Sequence, residues 1–592
     1  NQTATPLHPL TAWIRRETQP SAGMDTAHLE RLAAWLGDTA EPLDVALVAD
    51  LLGLQMPTAQ ALPPMPPERK RTLTREALLR YFVRCCASSP VLFMLEDAHW
   101  MDGATEDFLR LLFQRMQGKP FLALITSRPP EKQDWRGATP VTEIRLEPLR
   151  RSAAQQLVNN VCHGKELPAA VLELILSKTD GVPLFIEELT ATVLEMGLLR
   201  EDGQTLVIDG PLPDLDIPST LRDSLMARLD RLNDAKEVAR VASALGREFT
   251  FSLLHRVTGH PPGRLRAALD RLVEAQLLFR RGAPPASEYV FKHALVQQAA
   301  YAGQMRGDRQ ALHARIVEAI EIFEPDIAAR EPGLMAHHCQ EANLPDKEVD
   351  YLHAAGLASM RVVAIAEALS YFTRAEQVVA GLAPSRHNAR RHIDVILRLM
   401  EVGRFAILPQ RLVELGALAR SLAPLGGVAG DAATMSSILL QEGRAHLYSS
   451  RYAKARQIFG EIRQLGRANA SMEIELRPGA ALTMALCCQG LFNETLEFID
   501  ENSVAQYKSS GNFIDYISTL GWIAYARCQM GPGDAGLTSG HLSVQEAEVV
   551  QSPVYLSGAH IWRSHAYMAV RRYDEAVADA RRCVALSQEH AM

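Results

Sequence analysis

The stretch Val91-Leu92-Phe93-Met94-Leu95-Glu96-Asp97-Ala98-His99-Trp100 decides the fold of the N-terminal part of this 592-residue chain. Five apolar residues run without interruption and end at two adjacent carboxylates. A short apolar run bounded by polar residues is typical of a buried strand in a parallel sheet. Open α/β sheets bind their ligands at the carboxyl ends of such strands. Glu96 and Asp97 are therefore candidates for a ligand site.

A second strand is predicted at Phe121–Ile125, and it ends in Thr126-Ser127-Arg128. Helical patterns near 71–86 and 105–116 precede the two strands. The order strand, helix, strand with short loops predicts a βαβ unit and hence a parallel sheet. The N-terminal part of the chain is therefore expected to be an α/β domain.

The middle of the chain changes to helical patterns, interrupted by Gly181-Val182-Pro183. Glycine, proline and aspartate in 202–218 predict a linker. Thr220 with Asp223 resembles a capping box that opens a helix. The helices that follow lead to two short apolar segments, 277–279 and 289–291. Helices followed by a two-stranded hairpin suggest a winged-helix module.

Beyond about residue 345 the chain is almost entirely helical in pattern, and a repeat emerges. The aromatic residues Tyr452 and Phe492 are 40 residues apart, and Tyr573 lies about two further periods along. A small residue such as Gly443 precedes the aromatic residue in each copy, at the point where paired helices approach. This spacing predicts stacked helical hairpins that form a solenoid. The copies resemble tetratricopeptide (TPR) units with lengthened helices.

Composition narrows the class of protein. Apolar residues make up 47% and charged residues 22%, the net charge is −7, and the pI is near 6.3. Such a chain has no overall electrostatic attraction to nucleic acid or to an anionic membrane. No segment approaches the roughly 18 apolar residues of a membrane span, and none of the eight cysteines forms a C-x-x-C pair. We expect a cytoplasmic protein with reduced cysteines, no membrane association and no direct nucleic acid binding by this segment.

The ordered set of Val91–Trp100, Thr126–Arg128, Gly181–Pro183 and Phe291–His293 resembles the signal-transduction nucleotidases known as STAND proteins. The phrases at 180–189 and 289–298 look most like the bacterial ATPase–repeat proteins that accompany class III adenylate/guanylate cyclase domains. Similar modules occur in large LuxR-type transcriptional regulators. The resemblance implies a partial α/β P-loop nucleotidase followed by a helical lid, a winged helix and an all-α TPR-like superhelix, mostly helical overall. The implied boundaries are 1–150, 151–215, 216–305 and 306–592.

The resemblance also implies roles for six residues. Glu96 and Asp97 match the Walker B acids that serve Mg²⁺ and the attacking water, and either residue can take either role. Arg128 matches the residue that reads the γ-phosphate. Gly181 and Pro183 lie in an element that touches the nucleotide, and His293 matches a histidine that reaches the β-phosphate of ADP. The implied cofactors are ATP or ADP with Mg²⁺.

A plainer structural alternative stands beside each role. In these alternatives the two acids cap a strand, and Arg128 pairs with a surface acid. Gly181 and Pro183 would then end a helix, and His293 would be a satisfied core residue in a mostly apolar helix. The sequence alone leaves these alternatives open.

The G-x-x-x-x-G-K-[ST] loop that cradles phosphates is absent from the sequence, and the chain opens on Asn1. We therefore expect a chain that begins inside its ATPase domain, and weak or no ATP binding and no ATPase activity by these residues alone. The expected function of the intact protein is an ATP-dependent switch that self-associates when ATP is bound. Its TPR-like repeats would sense a protein or small-molecule ligand, and it would regulate an attached class III cyclase. The alternatives are a LuxR-type transcription regulator and a scaffold with a vestigial nucleotide site.

Overall fold

The computed structural model describes most of the chain. The described residues are 7–18, 25–37, 40–54, 56–57, 62, 65, 67–128, 140–195, 199–202, 205–208, 220–282, 287–362, 364–404, 406–498, 504, 506–508, 513–531, 534–550 and 552–589. Most of the predicted linker (209–219) and the loop around Pro284 lie outside them, as does part of the proline-rich stretch 57–67.

The chain begins with helices, followed by a strand, a helix and a strand. These elements are α1 His8–Thr18, α2 Asp25–Leu36, α3 Pro42–Leu51, α4 Pro67–Ser88, β1 Val91–Leu95, α5 Gly103–Arg115 and β2 Phe121–Ile125.

The middle part mixes helices with short strands. These elements are α6 Arg151–Val161, α7 Ala169–Thr179, α8 Pro183–Glu195, β3 Leu199–Asp202, β4 Thr205–Ile208, α9 Leu221–Arg231, α10 Asp234–Leu245, β5 Glu248–Thr250, α11 Phe251–Thr258, α12 Pro262–Glu274, β6 Leu278–Arg281, β7 Glu288–Phe291, α13 Ala294–Ala302, α14 Arg306–Phe323 and α15 Pro325–Arg330.

The described elements of the last part are all helical. They are α16 Pro332–Glu341, α17 Pro345–Arg361, α18 Ile365–Ala380, α19 Arg386–Val402, α20 Pro409–Gly426, α21 Ala432–Tyr448, α22 Tyr452–Ala468, α23 Met472–Leu476, α24 Gly479–Cys488, α25 Phe492–Phe498, α26 Phe513–Met530, α27 Asp534–Val550, α28 Pro553–Ala569 and α29 Tyr573–Glu589. The expectation of a mostly helical chain is confirmed.

The chain divides into two compact units. The first unit contains residues 1–140, 331–336 and 345–592, and the second contains 141–330 and 337–344. Helix α16 therefore contributes residues to both. Among the described residues, every helix is too short or too polar to span a lipid bilayer.

In the first unit, β1 and β2 pair in parallel from Val91↔Phe121 to Leu95↔Ile125, as the sequence predicts. One face of this pair packs on the core formed by α1–α5. On the other face Leu92 and Met94 are each 58% exposed, and Leu122 and Leu124 are 66% and 50% exposed. The prediction of buried strands therefore holds for one face only, because an uninterrupted apolar run shows that its residues are apolar and does not show that a second layer covers them.

The later helices of the first unit pack as successive neighbours, with the strongest pairings between α17 and α18, α19 and α20, α21 and α22, α26 and α27, and α28 and α29. In two of these pairs, a glycine of one helix faces an aromatic ring of its partner helix. Gly356 of α17 faces the Phe372 ring of α18, and Gly443 of α21 faces the Phe459 ring of α22. Each glycine lets a helix approach an aromatic ring that fills the space between the paired helices.

In the second unit, α10, α11 and α12 accompany a three-stranded antiparallel sheet in the order β5-β7-β6. The sequence predicts the strands at β6 and β7 but misses β5, which has only three residues. The N-cap hydrogen bond of the predicted capping box is present, since the backbone N–H of Asp223 donates to Thr220 Oγ1 at 3.1 Å, and the Thr220 hydroxyl donates to Asp223 Oδ2 at 2.7 Å. The expectation that a linker begins at residue 202 is wrong for the described residues, because β3 (199–202) pairs in antiparallel fashion with β4 (205–208).

Candidate functional site

The ends of β1 and β2 are tied together by Thr126. Its backbone N–H donates to Leu95 O at 2.9 Å, and its carbonyl accepts from the N–H of Ala98 at 2.8 Å. Its hydroxyl accepts from the N–H of Asp97 at 3.1 Å. These three hydrogen bonds fix the backbone on both sides of the acidic pair.

Asp97 has a left-handed backbone conformation with φ 54°, and a short 3₁₀ turn, Ala98–Trp100, follows it. Aspartate tolerates this region better than most residues, and such conformations concentrate at functional sites. The Glu96 side chain is exposed and the Asp97 side chain is partly buried. Both carboxylates thus stand at the carboxyl edge of the two-stranded sheet.

Several polar atoms close to this edge have no hydrogen-bond partner among the described residues. They are both ring nitrogens of His99 and the hydroxyl of Ser127, all of which are buried. A buried polar atom without a partner costs about 1–3 kcal/mol. The ring of Trp100 lies 5.4 Å from that of His99 in an edge-on arrangement, which indicates packing. The described residues leave these three atoms without a hydrogen-bond partner.

Arg128 follows Ser127 at the same edge and is exposed. Within the described part of the chain it makes no ion pair, so the alternative of a loop arginine held by a surface acid is not seen there. Arg128 and the two carboxylates thus place opposite charges at the same edge of the sheet. The reading of a γ-phosphate by Arg128 stays a prediction.

The residues of this edge fit Mg²⁺ in the way that nucleotide enzymes use it. Mg²⁺ takes one or two carboxylates and completes its octahedral shell with waters and substrate phosphates. Glu96 and Asp97 supply such oxygens. Among the described residues there is no group of three or more His, Cys, Asp or Glu side chains that could hold a metal ion by itself. A cation here would depend on the ligand that accompanies it.

Gly181 and Pro183 lie in the second unit, and local structure explains both. Gly181 has φ +73° after the left-handed C-cap Asp180 of α7, and its carbonyl accepts from the N–H of Leu149 at 2.7 Å. A Cβ at position 181 would lie 2.5 Å from Leu149 O. Pro183 opens α8, a position that needs no N–H donor. Their contact with a nucleotide stays a prediction.

His293 also lies in the second unit, but not within a helix as the sequence suggests. It is the N-cap residue of α13, in extended conformation, and its Nε2 is buried without a partner. Burial lowers the pKa of His293, the charge of Lys292 lowers it further, and Glu188 and Glu187 oppose the change. The imidazole is therefore neutral near pH 7, with a nitrogen that is not satisfied. This placement does not match a satisfied core histidine.

Sequence analysis misses two buried polar groups in the second unit. Glu188 of α8 pairs with Arg228 of α9, and both side chains are almost fully buried. His313 Nδ1 lies 2.8 Å from His338 Nδ1, and His313 Nε2 lies 3.0 Å from the hydroxyl of Tyr301. The sequence does contain a signal of the ion pair, because Glu188 is a charged residue on the otherwise apolar face of α8. The second group joins α13, α14 and α16, which no local pattern reveals.

Comparisons with known proteins give limited guidance. No model of a known protein family matches the chain. An uncharacterised protein of Rhizobium meliloti (strain 1021) is 28% identical over 386 residues, which cover 64% of this chain and 37% of that protein. The chain thus matches little more than a third of the length of this relative.

Three solved structures are similar at 11% identity, each with a TM-score of 0.33. One is a STAND protein with a tetratricopeptide repeat sensor from Pyrococcus horikoshii, and the similarity covers 96% of this chain and 89% of that one. Another is a Rap protein in complex with competence and sporulation factor, with 62% and 99% covered. The third is aspartyl phosphate phosphatase F from Bacillus subtilis, with 75% and 96% covered. A TM-score of this size does not establish a shared fold.

Proposed function

We propose that the protein is an ATP-binding signal-transduction switch whose helical repeats sense a protein or small-molecule ligand. The observation that carries the proposal is the carboxyl edge of the parallel pair. There Glu96 and Asp97 stand beside Thr126–Arg128, and buried polar atoms of His99 and Ser127 have no partner in the described structure. Open α/β sheets bind ligands at this edge.

In this proposal the strand and its acids are a Walker B element. Glu96 would hold the Mg²⁺ of the bound nucleotide and Asp97 would orient the attacking water, and either acid could take either role. Arg128 recognises the γ-phosphate through charge-assisted hydrogen bonds. Bound Mg²⁺ supplies neutralisation of the phosphate charge that develops during hydrolysis. Because the carboxylates sit on a strand end fixed by Thr126, they need little reorganisation to act.

The second unit supplies the proposed regulatory module. The succession of α10, β5, α11, α12, β6 and β7, with the sheet order β5-β7-β6, supports a winged helix. The unpartnered Nε2 of His293 at the start of α13 supports a role in contacting the phosphates of ADP. This contact would favour one state of the switch only if ADP bound more tightly to that state than to the other.

The repeats supply the proposed sensor. Partly exposed aromatic rings run across neighbouring helices, with ring centroids 5.9 Å apart for Phe492 and Tyr525 and 6.0 Å apart for Tyr525 and His565. Aromatic side chains are enriched at the centres of protein interfaces. Partner binding there would promote exchange of ADP for ATP and self-association. The output of the switch is proposed to be an attached class III cyclase.

The test uses the protein at its full natural length. Nucleotide released from the purified wild type is identified by chromatography, beside a Glu96→Gln/Asp97→Asn variant. We expect ADP in the wild type and ATP in the variant, with hydrolysis slowed about 100-fold or more because the variant cannot position Mg²⁺ and water. Glu30→Gln, an exposed carboxylate on α2, is the matched control and should behave as wild type.

Two outcomes would contradict the proposal. Absence of nucleotide from both proteins would mean that the edge is vestigial and that the repeats carry the function. Equal ADP content and equal hydrolysis rates in wild type and variant would mean that nucleotide binds and reacts elsewhere.

A further inference from the structure

We propose that a basic hollow in the first unit binds a small polyanion that carries at least two oxyanion groups. The hollow lies between α4, the C-terminal end of α5 and the turn that enters β2, and its volume is about 500 Å³. Its lining residues are Arg80, Val83, Arg84, Arg115, Gln117 and Lys119. This site is separate from the proposed function and does not depend on it.

The hollow and the carboxyl edge, where Glu96 and Asp97 stand, lie at opposite ends of the parallel strands β1 and β2. Lys119 comes two residues before β2, and the neighbouring Pro120 carbonyl accepts from the N–H of Val91, the first residue of β1, at 2.9 Å. A five-residue strand spans roughly 17 Å. A ligand in the hollow therefore sits at the amino ends of the strands, away from Glu96 and Asp97.

The charges around the hollow do not cancel. Four cationic side chains line it, and two acids pair with them. Asp44 pairs with Arg80, and Glu76 lies 3.9 Å from Arg115, an exposed and hence weak pair. Arg84 and Lys119 make no ion pair among the described residues. Glu41 also acts on Arg80 through its charge, so three acids oppose the four cations. The two cations that lack an acidic partner match a ligand that carries two oxyanion groups.

The two arginines of α4 are held in place before any ligand arrives. The Arg84 guanidinium donates to the carbonyl of Leu36 at 2.6 Å, and Arg80 is anchored by Asp44. Lys119 follows Gly118, whose φ is +73°, in a turn closed by its own N–H on Met116 O at 3.0 Å. Fixed guanidinium groups lose less entropy when they bind an oxyanion.

Size and shape favour an organic or condensed polyanion over a single small ion. Cavities of roughly 300–1,000 Å³ accommodate ligands of cofactor or drug size, whereas one phosphate ion fills a small part of such a volume. Val83 and the aliphatic stems of the arginines add an apolar wall. The chemistry shared by the candidate ligands is two or more neighbouring phosphate or carboxylate groups.

The test is isothermal titration of the full chain with inorganic pyrophosphate, citrate and inorganic phosphate, without Mg²⁺. We expect pyrophosphate and citrate to bind more tightly than phosphate, and their affinity to fall as salt increases. If pyrophosphate binds more tightly than citrate, the natural ligand carries phosphate groups. If citrate binds more tightly, the natural ligand is a polycarboxylate. The Arg115→Ala/Lys119→Ala variant should bind about tenfold more weakly or worse, because two charge-assisted contacts are lost.

Arg110→Ala is the matched control. It removes one positive charge from the same helix, where Arg110 pairs with Glu106 outside the hollow, and should leave affinity unchanged. Arg115 and Lys119 are exposed, so their removal leaves the core intact. The inference is overturned if neither polyanion binds, or if both bind the double variant as tightly as the wild type.

Discussion

Gly443 illustrates how one residue without a side chain permits a helix pair. A Cβ at this position would lie 2.3 Å from a ring carbon of Phe459, which is fully buried in α22. Glycine in the interior of a helix costs about 1 kcal/mol relative to alanine. Packing offsets this cost, because the absence of a side chain at Gly443 lets α21 approach α22 closely and the Phe459 ring fill the space between them.

Gly443→Ala should therefore lower the free energy of unfolding by about 1–3 kcal/mol, since overpacking outweighs the gain in helix propensity. Gly460→Ala in α22 provides the contrast, because its Cβ would meet nothing within 4 Å. That variant should be stabilised by up to about 1 kcal/mol. Urea unfolding followed by circular dichroism measures both. Equal effects of the two substitutions would mean that the Phe459 ring moves aside freely.

Asp97 shows the opposite case, in which a residue has an unusual conformation without a packing reason of its own. Its φ of 54° is held by hydrogen bonds between Thr126, which follows β2, and the residues around Asp97. Strain that neighbouring structure maintains is a mark of functional sites. The sequence predicts the acid but not its conformation, because the hydrogen bonds come from a strand about 29 residues further along the chain.

At the scale of elements, α8 and α9 are joined by a buried ion pair between Glu188 and Arg228. Arg228 also donates to the carbonyl of Ala275 at 2.8 Å, which ties α9 to the end of α12. Removing one partner of such a pair leaves a buried charge without compensation, whereas replacing both by apolar residues is often neutral. The pair therefore fixes how the elements fit together more than it adds net stability.

Arg228→Met should destabilise the protein by about 3–5 kcal/mol, because Glu188 stays buried without its partner. Glu188→Leu/Arg228→Met should recover most of that loss. The control is Arg231→Met on the same helix, where the partly exposed arginine lies 3.8 Å from Glu195 and contributes less than about 1 kcal/mol. The measurement is the urea midpoint of each variant. A double variant as unstable as Arg228→Met would contradict this account.

Elements differ in how well the sequence predicts them. The strands β1 and β2 agree with the predicted segments residue for residue, because uninterrupted apolar runs with abrupt polar ends have few other interpretations. The three-residue β5 and the β3–β4 hairpin escape prediction. Short strands are stabilised by pairing with distant segments, so their own composition carries little signal.

At the scale of the whole chain, a buried histidine pair links stability to pH. His313 and His338 lie together, with Tyr301 and Glu341 continuing the hydrogen-bonded chain. Burial lowers the pKa of His313 to about 4, the charge of His337 adds to this effect, Glu341 opposes it and Arg309 reinforces it. Burial also places the pKa of His338 well below its ordinary value.

Between pH 6.5 and 4, the unfolded chain binds a proton at His313 that the folded chain does not. Stability is therefore fully present above pH 6.5 and falls as the pH drops through this window, by about 2 kcal/mol at pH 5 for His313. The difference in unfolding free energy between wild type and His313→Gln should thus change between pH 7.5 and 5. A constant difference for His313→Gln would show that His313 does not titrate in this way.

The sequence does not predict the division into two units, because that division depends on contacts between residues that are far apart in the chain. Residues 1–140 cluster with 331–336 and 345–592 through contacts such as Arg15 with Glu331 at 3.1 Å and the N–H of Gly103 with Glu367 at 3.2 Å. These partners are 316 and 264 residues apart in the chain. The predicted domain boundaries at 150, 215 and 305 remain predictions.

The sequence by itself determined the parallel strands, the helical repeats and the candidate acids at a strand end, because each is written in a local pattern of apolar and polar residues. Only the tertiary structure decided which atoms near Glu96 lack partners, that Gly181 serves a backbone contact with Leu149, and that His293 precedes its helix with an unsatisfied nitrogen. It alone brought Arg80, Arg84, Arg115 and Lys119 around one hollow. The physical reason is that periodicity reports which residues are apolar along one element, whereas hydrogen-bond satisfaction and charge balance depend on groups that folding brings together from distant parts of the chain.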